Sequence, residues 1–385
     1  MAQKTDLSAN GLKALKSGNI TEAFSLLSSA IEQGDEHPET LLAAAIAARS
    51  AHHPQASLAA ANRLLLLSPN NLLATIIKAD ALAATGEQRK AAALYLSAVN
   101  SAPPQEKLSG ALATEVNRAR QECTAAAARY EEFLRTKVRA HGLFDGAGHT
   151  RGEQALDVLF GRKQIYYQQP EKFYFPELPQ IQFYDPSEFS WTKELIAQTH
   201  AIRSELEAVL SQESAFEPYV PAASEKMPHL HQSSLSGNAD WGAFHLIKDG
   251  VKVEENTTRC PSTMNALSLA PQPNVRGKSP IALFSRLKPG THIPPHTGLM
   301  NTRIICHLPL IIPNECHLRV GNEERQWRNG EMLIFDDSID HEAANTSTSE
   351  RVILLFDIWR PELTKDDRAF VAAVFDAIED YGEFA

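Results

Sequence analysis

The chain is short of several things that would define it quickly. Cysteine is scarce: four in 385 residues, at Cys123, Cys260, Cys306 and Cys316, with no CxxC pair. That spacing argues against a zinc site or a disulfide framework; a single Cys306–Cys316 bridge is the alternative to the buried free thiols expected in a reducing, cytoplasmic setting. No stretch reaches 18 uninterrupted apolar residues, and the opening "MAQKTDLSANGLK" has no secretory apolar core, so no membrane association is expected. Positive charge is also lacking. Lys and Arg number 37 against 47 Asp and Glu, a formal charge of −10, which argues against nucleic acid or an anionic membrane as a partner. What remains, 43% hydrophobic and 22% charged, is the composition of an ordinary globular protein, and the length favours two domains.

The first third repeats itself. Gly18, His52 and Gly86 are spaced 34 apart, as are Ala23, Ser57 and Ala91, and as are Pro69 and Pro103. "SGNITEAFSLLSSAI", "AHHPQASLAAANRLL" and "TGEQRKAAALYLSAV" each read as a turn leading into an amphipathic helix. "LLAAAIAARS" and "LLATIIKADALAAT" supply preceding helices. This resembles the tetratricopeptide repeat (TPR), with a small residue at the helix–helix turn, Ala five later and Pro after the second helix. His52 stands where Gly is usual, and Asp35 takes the first repeat's Pro position. Such units bury their apolar faces only against neighbours, giving a short solenoid with a groove. Two uses fit: capture of a protein or peptide partner, or packing and dimerisation without a client. Residues 104–140 keep a helical period without a breaker after Gly110 and read as a long capping helix. The predicted organisation is 1–140 helical repeats with their cap, 141–170 linker (with "LFDGAGHTRG", 143–152, as a flexible join), and 171–385 a second domain.

That second domain has another character. Pro170, Pro176, Pro179 and Pro186 interrupt an aromatic-rich opening, and 190–212 is strongly helical in period. Then come short apolar runs between Gly, Pro and Asn turns: "WGAFHLIKDG", "IALFSRLKPG", "TRIICHLPLIIP", "CHLRVG", "GEMLIFDDS" and "ERVILLFDIW". Such strands predict a jelly roll, a double-stranded β-helix with flanking helices, rather than a parallel α/β sheet. Strand alternation puts Arg303, Ile305 and His307 on one face, Arg351, Ile353 and Leu355 on one face, and Ser285 with Leu283 and Leu287. An Arg on an apolar strand face is costly unless an anion meets it. Arg351 therefore reads either as a carboxylate anchor or as an ordinary ion pair, with Asp336, Asp337 or Asp340 as candidate partners. His296 lies in a turn, His307 in a strand and His341 after the acidic turn "FDDSID". A jelly roll brings such turns to its mouth, where neutral imidazoles are natural Fe(II) ligands; for any one of them alone, a hydrogen-bonded core histidine is the plainer reading. An acid usually follows the first histidine of an iron oxygenase two residues on. Here that residue is Gly298.

Taken together, "LKPGTHIPPH", "HTGLMN…RIICHLPLIIP", "WRNGEMLIFDDSIDHE" and "RVILLFDIWRPEL" resemble the aspartyl/asparaginyl β-hydroxylases, over roughly 170–365 and including "DWGAFHLIKDG" and "ENTTRCPSTMNAL". The resemblance implies an Fe(II)- and 2-oxoglutarate-dependent dioxygenase that uses O2 and couples hydroxylation of a C–H to conversion of 2-oxoglutarate into succinate. Several members carry helical repeats ahead of the catalytic domain. Carried over residue by residue, His296 and His341 match the iron ligands, and Gly298 is the family's own residue at the missing-acid position. Ser285 and Arg351 match the 2-oxoglutarate anchors, and His307 the histidine near the metal-chelating end of the cosubstrate. Arg303 is the basic residue on that same strand face, and Trp241 matches an aromatic residue near the substrate. One departure is Ile305, where animal members carry an arginine on the substrate side. A charged acidic substrate would lose a counter-charge there, on the order of 2–5 kcal/mol if no other cation replaced it. The expectation is thus a hydroxylase of a protein or peptide side chain delivered by the repeats. The alternatives are a hydroxylase of a small molecule or acyl chain, and a non-catalytic repeat scaffold.

Overall fold

The computed structural model describes residues 2–143, 151–212, 215–221 and 235–384. The chain divides into two units, Met1–Arg162 and Lys163–Ala385.

The first unit is a run of antiparallel helices: α1 (Ala2–Lys16), α2 (Ile20–Glu32), α3 (Pro38–Ser50), α4 (Pro54–Leu67), α5 (Leu72–Ala84), α6 (Gln88–Ser101), α7 (Gly110–Ala140) and α8 (Arg151–Leu159). Each of α1 to α6 packs on the next, and α1, α3, α5 and α7 also touch in series, which is the tetratricopeptide-like stacking that the 34-residue period predicts. The turn positions Gly18, His52 and Gly86 all take positive φ (81°, 59° and 89°). Glycine adopts that conformation without strain, and His52 tolerates it as an occasional left-handed residue. Ala23, Ser57 and Ala91 are buried, where a larger side chain would hold the helices apart; Ser57 stays satisfied by donating to the Ala45 carbonyl at 3.0 Å. Across α3, α5, α6 and α7 runs a closed ion network. Arg49 pairs with Asp80 (2.8 Å) and Glu115 (2.7 Å), Arg118 pairs with both (2.7 Å each), and the Tyr95 hydroxyl donates to Asp80 (2.5 Å). The stretch 141–170 contains α8, tied to α7 through Arg135–Asp157 and Arg162–Glu131 ion pairs at 2.7 and 2.6 Å. Most of the join read at 143–152, namely 144–150, lies outside the described residues.

The second unit is a two-sheet antiparallel barrel. Its strands are β1 (Phe183–Tyr184), β2 (Glu217–Pro218), β3 (Trp241–Lys248), β4 (Val251–Lys252), β5 (Ala282–Leu287), β6 (Thr291–His296), β7 (Arg303–Ile311), β8 (Cys316–Val320), β9 (Glu323–Gln326), β10 (Leu333–Phe335), β11 (His341–Asn345) and β12 (Arg351–Trp359). The major sheet runs β1-β10-β7-β12-β5-β3-β2, with β4 on β3; the minor sheet runs β6-β11-β8-β9. Helices α9 (Thr192–Ala197), α10 (Thr199–Leu210), α11 (Glu254–Thr257), α12 (Pro261–Leu267) and α13 (Lys365–Phe384) flank it. The single helix expected over 190–212 is two helices, because the chain caps α9 and restarts α10 at Gln198.

Alternation along β5, β7 and β12 separates two cores. Ile304, Cys306, Leu308, Leu354 and Phe356 pack outward against Leu195, Ile202, Leu206 and Val209 of α9 and α10. Leu283, Ile305, Ile353 and Leu355 face the other way, toward Ile293, Leu318 and Val320 of the minor sheet. Strands buried on both faces carry long apolar runs, so each charged residue among them needs a specific explanation.

Candidate active site

Between the two sheets lies a cavity whose lining includes Ser285, His296, Gly298, Arg303, Ile305, His307, Trp327, Asp337, His341 and Arg351. Its histidines come from opposite walls. His296 ends β6 and His341 begins β11, and the two are direct cross-strand partners in the antiparallel ladder of the minor sheet. Residues 45 apart in sequence thus stand side by side, with ring centroids 4.1 Å apart. Each ring is oriented by its own backbone: His296 Nδ1 bonds the Pro294 carbonyl at 2.8 Å, and His341 Nδ1 bonds the Ile339 carbonyl at 3.0 Å. A carbonyl only accepts, so both rings carry a proton on Nδ1, and the nitrogen left for coordination is Nε2. That is the tautomer a metal ligand needs, fixed by an outer partner as is usual for ligating imidazoles. Burial, then the neighbouring His296, pushes the His341 pKa well below the usual histidine range, which keeps the ring neutral. A pair of imidazoles so oriented fits a borderline divalent ion such as Fe(II). Among the described residues no group of three or more His, Cys, Asp or Glu is arranged to hold a metal, so the pair stands as a two-histidine set.

The major sheet supplies the anion-binding side. Arg351, the first residue of β12, is only 1% exposed, and no carboxylate among the described residues pairs with it. Its Nη1 donates to the Ser285 carbonyl (3.2 Å) and to Ser285 Oγ (3.4 Å), while its buried Nε has no acceptor. Burial lowers its pKa to about 10, still charged at neutral pH. Ser285 Oγ also accepts from the Trp241 indole N–H at 3.3 Å, so its own proton remains to be donated. Trp241 stacks on Tyr219 with ring centroids 4.1 Å apart and lies 6.2 Å from the His296 ring. The ion pair considered for Arg351 with the acidic turn does not form. Asp336 pairs with Arg360 at 2.6 Å, and Asp340 with Arg319 at 2.7 Å.

Arg303 lines the same cavity but is neutralised within the protein. It pairs with Asp357 at 3.0 Å, approaches Asp337 at 3.8 Å and donates to Ser279 Oγ at 3.1 Å. The buried cavity therefore holds two guanidinium groups in opposite conditions, one matched and one waiting for an anion. Residues 197–361 match the family model described as Aspartyl/Asparaginyl beta-hydroxylase.

Residues 197–361 form an aspartyl/asparaginyl β-hydroxylase family domain.

Curated relatives agree. The chain is 34% identical over 215 residues to "Aspartate beta-hydroxylase domain-containing protein 2" of Xenopus tropicalis, covering 54% of this chain and 55% of that one. It is 38% identical over 142 residues to human "Aspartyl/asparaginyl beta-hydroxylase" (37% and 19%). It is 34% identical over 181 residues to "Ornithine lipid ester-linked acyl 2-hydroxylase" of Rhizobium tropici (46% and 60%). The chain thus spans between a fifth and three-fifths of the length of these relatives. The TPR domain of Sgt2 from Aspergillus fumigatus, among solved structures, is 16% identical with a TM-score of 0.28, covering 35% of this chain and 83% of that one. The helical stacking described above stands without it.

Within the hydroxylase-family domain, Gly298 has a steric reason. A Cβ there would lie 2.0 Å from Asp337 Oδ2, so Asp337 fills the space a side chain at 298 would need. The Asp337 carboxyl is buried, its Oδ1 meets no partner, and burial raises its pKa to about 7. Ile305 lies in the cavity wall beside His307. Two cavity residues were not legible in the sequence as site residues. Trp327 follows an edge strand and only opens the quoted "WRNGEMLIFDDSIDHE" without a role of its own there, and Tyr219 sits beside a two-residue strand with no periodic or motif signal. A second cleft of about 590 Å³ shares Tyr219, Ile281, Leu299 and Arg303 with the cavity and is also lined by His245, Lys248 and Leu283.

Proposed function

We propose that this protein is an iron(II)- and 2-oxoglutarate-dependent dioxygenase that hydroxylates a C–H of a peptide or protein side chain. The carrying observation is the cross-strand pair His296–His341, with both rings set to present Nε2, in the same cavity as the unpaired Arg351. When bound, iron with 2-oxoglutarate and dioxygen supplies the oxidising power for hydroxylation, and 2-oxoglutarate leaves as succinate and CO2. The chain's own residues supply placement. His296 and His341 would hold the metal through Nε2, their geometry fixed by the Pro294 and Ile339 carbonyls. Arg351 would take the distal carboxylate of the cosubstrate, with the Ser285 hydroxyl donating a second bond, a charge-assisted pairing that offsets the cost of burying the guanidinium. His307, on the adjacent strand, would face the metal-proximal end. The apolar walls around Ile305, Ile353 and Leu355 exclude water from the reacting carbon. In the helical unit, the groove of the repeats would offer a binding surface to a protein partner.

A second substrate class has a specific observation behind it. The cleft beside the cavity is apolar at Ile281, Leu283 and Leu299, and the guanidinium it shares with the cavity, Arg303, is already matched by Asp357. That surface suits an acyl chain or a neutral side chain better than a free carboxylate. The test is release of succinate from 2-oxoglutarate in the presence of Fe(II) and candidate peptides or acyl substrates. His296→Ala should bring it to background; release at the parent rate would overturn the assignment.

A further inference from the structure

We propose that Trp327 is the positioning residue that holds His307 and Arg351 in their anion-receiving state, an inference that rests on the cosubstrate reading above. Trp327 follows β9 on the edge of the minor sheet, yet its indole is 3% exposed and contacts two residues of the major sheet. Its Nε1–H donates to His307 Nδ1 at 3.2 Å. Its ring faces the Arg351 guanidinium, with Cζ 4.9 Å from the ring centroid.

Each contact sets one property of the site. An indole N–H can only donate, so His307 Nδ1 must accept, and the proton of the neutral ring sits on Nε2. His307 therefore offers the cavity a donor. The opposite tautomer would present a lone pair, which repels a carboxylate or keto oxygen. This assignment is the reverse of that in His296 and His341, whose Nδ1 atoms donate to carbonyls. One cavity thus holds two imidazoles set to give lone pairs and one set to give a proton. The second contact acts on charge. The negative face of the indole holds a guanidinium in place without neutralising it, whereas a carboxylate in that position would compete with the ligand. Arg351 stays ordered and still able to pair.

The two roles are separable. Trp327→Phe keeps an aromatic face for Arg351 and removes the N–H that fixes His307. Trp327→Leu removes both. With the full chain loaded anaerobically with Mn(II), calorimetric titration of 2-oxoglutarate should show about a tenfold loss of affinity for Trp327→Phe and a larger loss for Trp327→Leu, with Mn(II) affinity unchanged. Nitrogen-15 NMR of the metal-free chain should show His307 protonated at Nε2 in the parent and as a mixture of tautomers in Trp327→Phe. Adding His307→Gln to Trp327→Phe should recover part of the affinity, because an amide can turn to donate without the indole. A purely structural role would lower the unfolding midpoint without this rescue. Parent-like 2-oxoglutarate affinity in a folded Trp327→Phe, or His307 protonated at Nε2 to the same extent without the indole N–H, would overturn the inference alone. A parent protein that binds metal but no 2-oxoglutarate would overturn the cosubstrate reading, and this inference with it.

Discussion

The two units treat charge differently: the helical network is half-buried and closed, whereas the barrel buries Arg303, Arg351 and Arg360 and leaves one of them open. In the helical unit, Arg49, Asp80, Glu115 and Arg118 form a closed network in which every guanidinium meets carboxylates on neighbouring helices. In the barrel, Arg303 and Arg360 follow the same rule with Asp357 and Asp336, but Arg351 does not. A closed network is a structural device, since losing one member strands the others. An open one is a receptor, because an incoming carboxylate gains what the fold leaves unmet. The helical network among the described residues shows no such opening.

That contrast is sharpest on substituting one charge from each set. Arg351→Met should cost 2-oxoglutarate affinity on the order of 2–5 kcal/mol, since the ligand carboxylate would meet no cation. The same change should leave unfolding stability level or slightly higher, because an unpaired buried charge is removed. Asp80→Ala should do the reverse. It leaves Arg49 and Arg118 sharing Glu115 alone and the Tyr95 hydroxyl without its acceptor, which should cost about 1–3 kcal/mol of stability in urea, with 2-oxoglutarate binding unchanged. If the two variants behaved alike, the distinction between a closed and an open network would be lost.

Gly298→Ala tests whether Asp337 truly occupies the position beside His296. The added methyl collides with the Asp337 carboxylate, and such overpacking should cost roughly 1–3 kcal/mol. Asp337→Ala in the same chain should relieve most of it, so the pair should be strongly non-additive in a double-mutant cycle. Additive effects would mean that the two positions do not share space.

The smallest effect concerns pH. Burial, then Lys248, lowers the His245 pKa to about 4. The unfolded chain binds that proton near pH 6.5 and the folded chain does not, so His245 costs stability as pH falls through 6.5 toward 4. Between pH 7.5 and 5.5 the parent should lose about 1 kcal/mol more than His245→Leu does. Equal slopes in urea melts of the two metal-free proteins would contradict it.

Much of this was legible before any coordinates. The 34-residue period gave the helical stack, and alternation in "RIICHLPLII" and "RVILLFDIW" sorted Arg303, Ile305, His307 and Arg351 onto the cavity side, where the structure has them. Those signals are strong because a charged residue in a strand buried on both faces needs either an ion pair, as Arg303 has with Asp357, or a ligand. Three things were not legible. Trp327 reaches across from one sheet to the other, a contact set by barrel closure rather than by local pattern. Asp336, Asp337 and Asp340 look equivalent in "FDDSID", yet one pairs with Arg360, one with Arg319, and one faces Gly298. The break at Gln198 is likewise tertiary, as the helical period runs through it.

The most direct measurement is an anaerobic absorbance titration of Fe(II) into this chain with 2-oxoglutarate present. A visible band should develop and saturate at one metal per chain. It should be absent in His296→Ala and His341→Ala, and should require much more 2-oxoglutarate in Arg351→Met. An unchanged band in either histidine variant would contradict the assignment of the metal to this cross-strand pair.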